Sequence, residues 1–194
     1  ANRRSLYGGY FNGGVGAGQS YAYVGIKYNA TNTGTGGTNY KIIGNGTNST
    51  MIMDKENKPR VLFSPEAPEI LFEDYGTAEL VNGEVYVPID EILKESLYID
   101  DKHPLKVFIQ LEGDCNGVFV TEKSKNGFKV KELANGTSNT KFSWHIVANR
   151  ADDKDAQGNI TSEHVGLRLP YGPVAAKETQ LAIKSNEKNI VAQK

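Results

Sequence analysis

Cys115, His103, His145 and His164 are the side chains whose types most readily do nucleophilic chemistry, and their spacing decides what they can do. A cysteine nucleophile needs a base to make thiolate. Cys115 sits in Glu112-Gly-Asp-Cys-Asn-Gly117, between two predicted strands. Its acidic neighbours raise rather than lower a thiol pKa. His145 falls on the polar face of a strand, His103 precedes Pro104, and His164 lies in a charged tail. Nothing in the spacing brings any of them to Cys115, which reads as a turn residue.

Carboxylates cluster twice, at Glu66, Glu69, Glu73 and Asp74, and at Asp152, Asp153 and Asp155. Paired acids are the machinery of glycoside hydrolysis, although exposed acids more commonly only solvate a surface. Asp152-Asp-Lys-Asp-Ala-Gln-Gly158, with Glu163 eleven positions after Asp152, comes near a calcium loop. No flanking helices are evident, so no metal is expected. Gly13-Gly-Val-Gly-Ala-Gly18 contains Gly-x-Gly but lacks a preceding buried strand, a following helix and Gly-Lys-Ser/Thr, and no phosphate cofactor is expected. Asn-x-Ser/Thr sequons at Asn29, Asn45, Asn48, Asn135 and Asn159 follow from an Asn/Thr-rich composition.

The elements that must position these groups follow from two compositions joined in one chain. The first fifty residues hold 12 of the 21 glycines and 6 of the 10 tyrosines, and their only charges are Arg3, Arg4, Lys27 and Lys41. The other 144 of the 194 residues carry 18 basic and 23 acidic side chains, so a net charge of −1 is the sum of +4 and −5. Near-neutrality argues against nucleic acid and polybasic membrane partners. The single cysteine excludes a disulfide framework and a multi-cysteine zinc module. No apolar run approaches the ~20 residues of a membrane helix, and no signal peptide is visible. The start at Ala1 rather than Met reads as a processed form or an expressed piece.

Within the front segment, Tyr21-Ala-Tyr-Val-Gly-Ile-Lys-Tyr28 alternates as a strand, with Ala22, Val24, Ile26 and Tyr28 on one face. Short strands between glycine turns stack better on copies of themselves than they form a core. Residues 1–50 are therefore expected to form a stem, and the two prolines of Phe63-Ser-Pro-Glu-Ala-Pro68 an extended neck over 51–76. Residues 77–150 read as an antiparallel head. Asn82-Gly83 supplies a type I′ turn between two apolar runs. Leu105, Val107, Ile109 and Leu111 share a face, Val118–Thr121 pairs with Phe128–Lys131 through Lys125-Asn-Gly127, and Phe142, Trp144, Ile146 and Ala148 share another face. Asp90 caps one short helix whose Ile92, Leu93 and Leu97 face the sheet. The expected fold is all-β: a glycine-rich β stem, then a compact antiparallel head, a meander or small sandwich, with one short helix. Residues 151–194 read as a charged tail.

The succession Leu62–Gly76, Leu80–Val87, His103–Thr121, Gly136–Asn139 and Phe142–Arg150, preceded by Tyr7-Gly-Gly-Tyr-Phe-Asn-Gly13, resembles a C-terminal module of bacterial surface-fibre and tail-fibre-like proteins. The resemblance implies a non-enzymatic, externally displayed fibre end. It would lie outside the cell, on its surface or on a phage-like particle, self-associated as a homotrimer and without membrane insertion or cofactor. It implies no catalytic residues. Its head would meet a cell-surface glycan or protein receptor, and the exposed aromatics Tyr75, Tyr86 and Phe119, with nearby Asn and Asp, are the candidate contacts. Packing within or between chains is the competing role for all three. The alternative class is a self-cleaving chaperone or a glycan-active enzyme of a tail fibre.

Overall fold

Antiparallel pairing organises the whole of the computed structural model, which describes residues 7–13, 20–29 and 36–176. The fold is all-β, with one five-residue helix. Ser5, Leu6 and residues 14–18 of the glycine run, together with the end of the tail from 177, lie outside the described residues.

The head is a two-sheet sandwich. One sheet is built on β12 (Lys141–Arg150), which pairs along one edge with β6 (Leu71–Glu79) and along the other with β9 (Lys106–Leu111) and the short β8 (Leu97–Tyr98). The second sheet runs β10 (Val118–Ser124), β11 (Gly127–Glu132), β7 (Glu84–Pro88). Alternation sends Phe142, Ile146 and Ala148 inward from the first sheet and Val87, Phe128 and Val130 inward from the second, where they meet Leu80, Ile89, Leu97 and Leu105. The Trp144 ring lies against Gly76, its partner in register on β6, and meets Phe128 edge-on. Any larger residue at 76 would overlap that ring.

Asn82 and Gly83 take the positive φ values (53° and 84°) of the expected I′ turn. Val81 and Glu84 close it through reciprocal backbone bonds. The flanking strands then part, β6 into one sheet and β7 into the other, so the turn is a corner of the sandwich. The Lys125–Gly127 turn does join a true hairpin, Val120 opposite Val130. Asp90 caps α1 (Glu91–Glu95) by accepting from Ile92 N and Leu93 N. Ile92, expected to face the sheet, is 83% exposed; consecutive helical residues point about 100° apart, so Leu93 turns to the core and Ile92 does not. Glu132 is a buried carboxylate fixing the loops at one end of the head. It accepts from Asn116 N and Nδ2 and from Ser138 N at 2.8–3.1 Å.

The glycine- and tyrosine-rich front forms its own three-stranded sheet, β1 (Tyr7–Asn12), β2 (Tyr21–Tyr28), β3 (Thr38–Gly44). Its burial differs from simple alternation. Tyr23, Ile26 and Tyr28 are buried together, while Val24 is exposed. The switch of faces falls at Gly25, whose φ of +63° only glycine adopts freely. The stretch read as a neck contains a second surprise. Residues Ser49–Met53 (β4) and Pro59–Phe63 (β5) form a two-stranded hairpin. Its turn is organised by Asp54, which accepts from Glu56 N and Lys58 N and pairs with Arg60. An extended link follows, and Leu71–Gly76 already belong to the head.

The tail is not loose up to residue 176. Strands β13 (Asp153–Lys154) and β14 (Ile160–Ser162) form a hairpin that docks on β3. Asn39 N donates to Ser162 Oγ (2.9 Å) and Thr38 Oγ1 to Glu163 O (2.6 Å). Residues 172–174 then cross the tyrosine face as a strap: Tyr28, Tyr23 and Tyr21 donate their hydroxyls to the carbonyls of Gly172, Val174 and Pro173 at 2.8–3.1 Å. These tyrosines are covered by the strap of their own chain. Among the described residues no helix is long and apolar enough to cross a membrane.

Candidate functional site

Most of the candidate nucleophiles and acids from the sequence have partners that show their roles. Cys115 is half-buried in the β9–β10 loop, its Sγ accepting from Gly117 N at 3.4 Å, the geometry of a turn. The histidines are engaged elsewhere: His103 with Asp100, His145 with Glu73, His164 with Ser162. Glu69 clasps Asn149 and Arg168. In the calcium-like stretch, Asp152 accepts from His164 N and Val165 N, Asp153 pairs with Arg150, Asp155 closes its own turn, and Glu163 accepts from Gly37 N. The carboxylates diverge, and among the described residues no group of three or more metal-binding side chains assembles.

Ser162 and His164 form a pair that sequence spacing did not single out. Ser162 Oγ lies 2.9 Å from His164 Nε2, and His164 Nδ1 lies 2.8 Å from Ala151 O. A carbonyl only accepts, so Nδ1 donates to it, and in the neutral ring Nε2 accepts from the serine. This is the geometry of an activated serine, but Ser162 is 0% and His164 2% exposed, and the Ser162 oxygen is also held by Asn39 N. No substrate carbonyl reaches it. The pair joins tail to front sheet.

The three aromatic candidates separate. Tyr86 lies between inward Val85 and Val87, and Phe119 between Val118 and Val120, so both stand on the outer face of the β10–β11–β7 sheet. There Lys129 and Lys131 of β11 sit opposite them in register. Tyr75 is on the outer face of the other sheet, across the sandwich. The three therefore form no common site.

Tyr75 instead belongs to a row that crosses three strands. His145 of β12 is directly opposite Tyr75 of β6 and Phe108 of β9. Its ring stacks on both, with centroids at 4.5 Å and 5.5 Å. Tyr75 is 64% and Phe108 56% exposed. One register step along, Ser143 lies between Thr77 and Gln110. The two rows line an open groove of about 590 Å³. Carboxylates stand at its ends. Glu73 accepts from the Tyr75 hydroxyl and lies 3.2 Å from His145 Nε2, and Glu112 accepts from Ser143 Oγ. The Tyr75 hydroxyl, with His145 behind it, holds Glu73 below the usual carboxylate range, and the same bond raises the Tyr75 phenol.

An aromatic row beside a row of hydroxyl and amide groups can take a ligand with an apolar surface rimmed by hydroxyls. Tyr75 was accessible to sequence reasoning. Phe108, Gln110, Thr77 and Ser143 were missed, although the inward alternation of β9 and β12 places 108, 110, 143 and 145 on one outward face. The chain matches no family model, no curated protein and no solved structure.

Proposed function

We propose that this chain is a non-enzymatic adhesive module, the terminus of an extracellular fibre whose β head binds a cell-surface saccharide. The observation that carries the reading is the Tyr75–His145–Phe108 row with its parallel Thr77–Ser143–Gln110 row. Adjacent strands are about 4.8 Å apart, so the row spans about 10 Å, the length of a disaccharide. The C–H faces of the sugar pack against the rings, and Thr77, Ser143 and Gln110 bond its hydroxyls. The groove volume falls within the range of small-molecule sites, roughly 300–1,000 Å³.

The non-enzymatic part has two supports. A glycosidase acid must hold its proton near neutral pH, whereas Glu73 is held ionised. The Ser162–His164 pair is sealed from substrate. The fibre setting rests on the resemblance of residues 61–150. Self-association would present several grooves at once, so weak single contacts sum by avidity.

A glycan array probed with the chain coupled multivalently to beads tests this. Saccharide-dependent retention is expected, weakened about tenfold by Tyr75→Ala or Phe108→Ala, the loss of one aromatic contact. Tyr86→Ala and Phe119→Ala leave it unchanged. Silence across the array, or dependence on Tyr86 or Phe119 instead, contradicts it.

A further inference from the structure

Two carboxylates decide which hydrogen bonds the outer groove of the head can still make. An ionised Glu73 only accepts, so both groups that reach it donate: the Tyr75 hydroxyl, and His145 through Nε2 at 3.2 Å. In the neutral ring the proton of His145 is thereby placed on Nε2, and Nδ1 is left as a bare acceptor. The two edges of an imidazole point opposite ways. The Nε2 edge faces Glu73, one register row to one side, so the Nδ1 edge faces Ser143, one row to the other. Among the described residues Nδ1 has no partner.

Glu112 sets Ser143 in the same way. The serine hydroxyl donates to it, which uses its only proton and leaves its lone pairs to the groove. Residues 143 and 145 stand on one face of β12, about 7 Å apart along the strand. An N–H bond spans about 2.9 Å, so one nitrogen between them reaches both acceptors, with a carboxylate on the far side of each. Thr77 and Gln110, opposite Ser143, have no such constraint and keep both donor and acceptor roles. The other charges on this face are Glu79 and Lys141 beyond the Ser143 row, and Lys106 beyond the His145 row. With Glu73 and Glu112 they make three carboxylates against two lysines, so the face is negative by one while His145 is neutral.

We propose that the groove selects an amino sugar, whose protonated amine lies between His145 Nδ1 and Ser143 Oγ while the sugar ring packs on Tyr75 and Phe108. This names the class of saccharide and rests on the saccharide reading above. An ammonium donates to both acceptors at once, whereas a hydroxyl has one proton and satisfies one of them. Its charge is met by Glu73 and Glu112, and the exposed faces of Tyr75 and Phe108 attract a cation. N-acetylation removes the charge and all but one N–H, so it removes the advantage. Acid removes it too: a protonated His145 turns Nδ1 into a charged donor beside the ammonium. Glu73 stays ionised where histidines charge, because the Tyr75 hydroxyl foremost holds it below the usual carboxylate range.

Affinities measured by amide NMR titration of the full chain test it. The probes are β-1,4-linked disaccharides of glucosamine and of galactosamine, each beside its N-acetylated and its all-hydroxyl counterpart. At pH 7 an amine-bearing disaccharide is expected to bind about tenfold tighter than both of its counterparts, the difference one charge-assisted bond makes. That preference is expected to shrink between pH 7 and pH 5, where histidines charge. His145→Phe keeps an aromatic row but removes the acceptor, and is expected to level the affinities and flatten their pH dependence. Glu112→Gln is expected to reduce the preference while affinity for the all-hydroxyl disaccharides stays as in wild type. Equal affinities for wild type, or a preference that survives in His145→Phe, overturn the inference and leave saccharide binding standing. A tri-lysine peptide that binds as tightly as the amino disaccharides overturns it as well, because charge alone is then recognised. Silence from every disaccharide overturns it together with the saccharide reading.

Discussion

Asp100 shows how single side chains tune this molecule. It accepts from the Tyr98 hydroxyl and lies against the His103 ring, with Lys102 N and His103 N also donating to it. The Tyr98 bond foremost, with these others, lowers its pKa to about 2. A carboxyl whose folded pKa lies below its unfolded value contributes stability above that unfolded value, and loses it as pH falls through the folded one. Glu69, Glu132, Asp54 and Asp155 are shifted in the same direction by their hydrogen bonds. The melting temperature is therefore expected to fall continuously between about pH 4.5 and pH 2. In Asp100→Asn the slope between pH 4 and pH 2 becomes shallower. Parallel slopes in wild type and variant would show that the Asp100 turn contributes nothing to acid lability.

At the scale of elements, the strap is the clearest device. Replacing Tyr21, Tyr23 and Tyr28 together by Phe keeps the rings of the front sheet but removes three hydroxyl bonds to residues 172–174, each worth about 1 kcal/mol. Hydrogen exchange is expected to quicken over residues 167–176 and in β3, while protection of β6, β11 and β12 stays as in wild type. Equal exchange at the strap would mean that ring packing alone holds it. The strap and the β4–β5 hairpin were also the least legible elements in the sequence. Period-two alternation exposed β9, β11 and β12 because one face of each is buried. The same rule failed at β2, where Gly25 switches the buried face from Tyr23 to Ile26. It was silent at β4 and β5, whose apolar residues sit on both faces and whose Pro59 reads as a breaker. The docking of 151–176 rests on side chains of one segment meeting backbone groups of the other, as Ser162 Oγ meets Asn39 N and the tyrosine hydroxyls meet residues 172–174, and no sequence periodicity marks such pairs. The groove was half legible: Tyr75 was singled out, but only strand register sets His145 between Tyr75 and Phe108, and register is a long-range property.

Across the whole molecule, the halves that differ in composition also differ in how their surfaces are used. The head buries a contiguous apolar core and leaves one outward aromatic groove. Among the described residues, the front sheet is closed on one face by its own tail, while Val24 and Ile42 on the other stay exposed. The proposed binding groove lies wholly within residues 71–150, so its test does not depend on the front sheet. The most direct test of the binding face is an amide NMR titration of the chain with the saccharide retained on the array. Shifts are expected to concentrate at residues 73–77, 106–110 and 143–147, with 84–88 and 118–131 unmoved. Shifts centred on the Tyr86 and Phe119 face, or none at saturating saccharide, would contradict the proposed function.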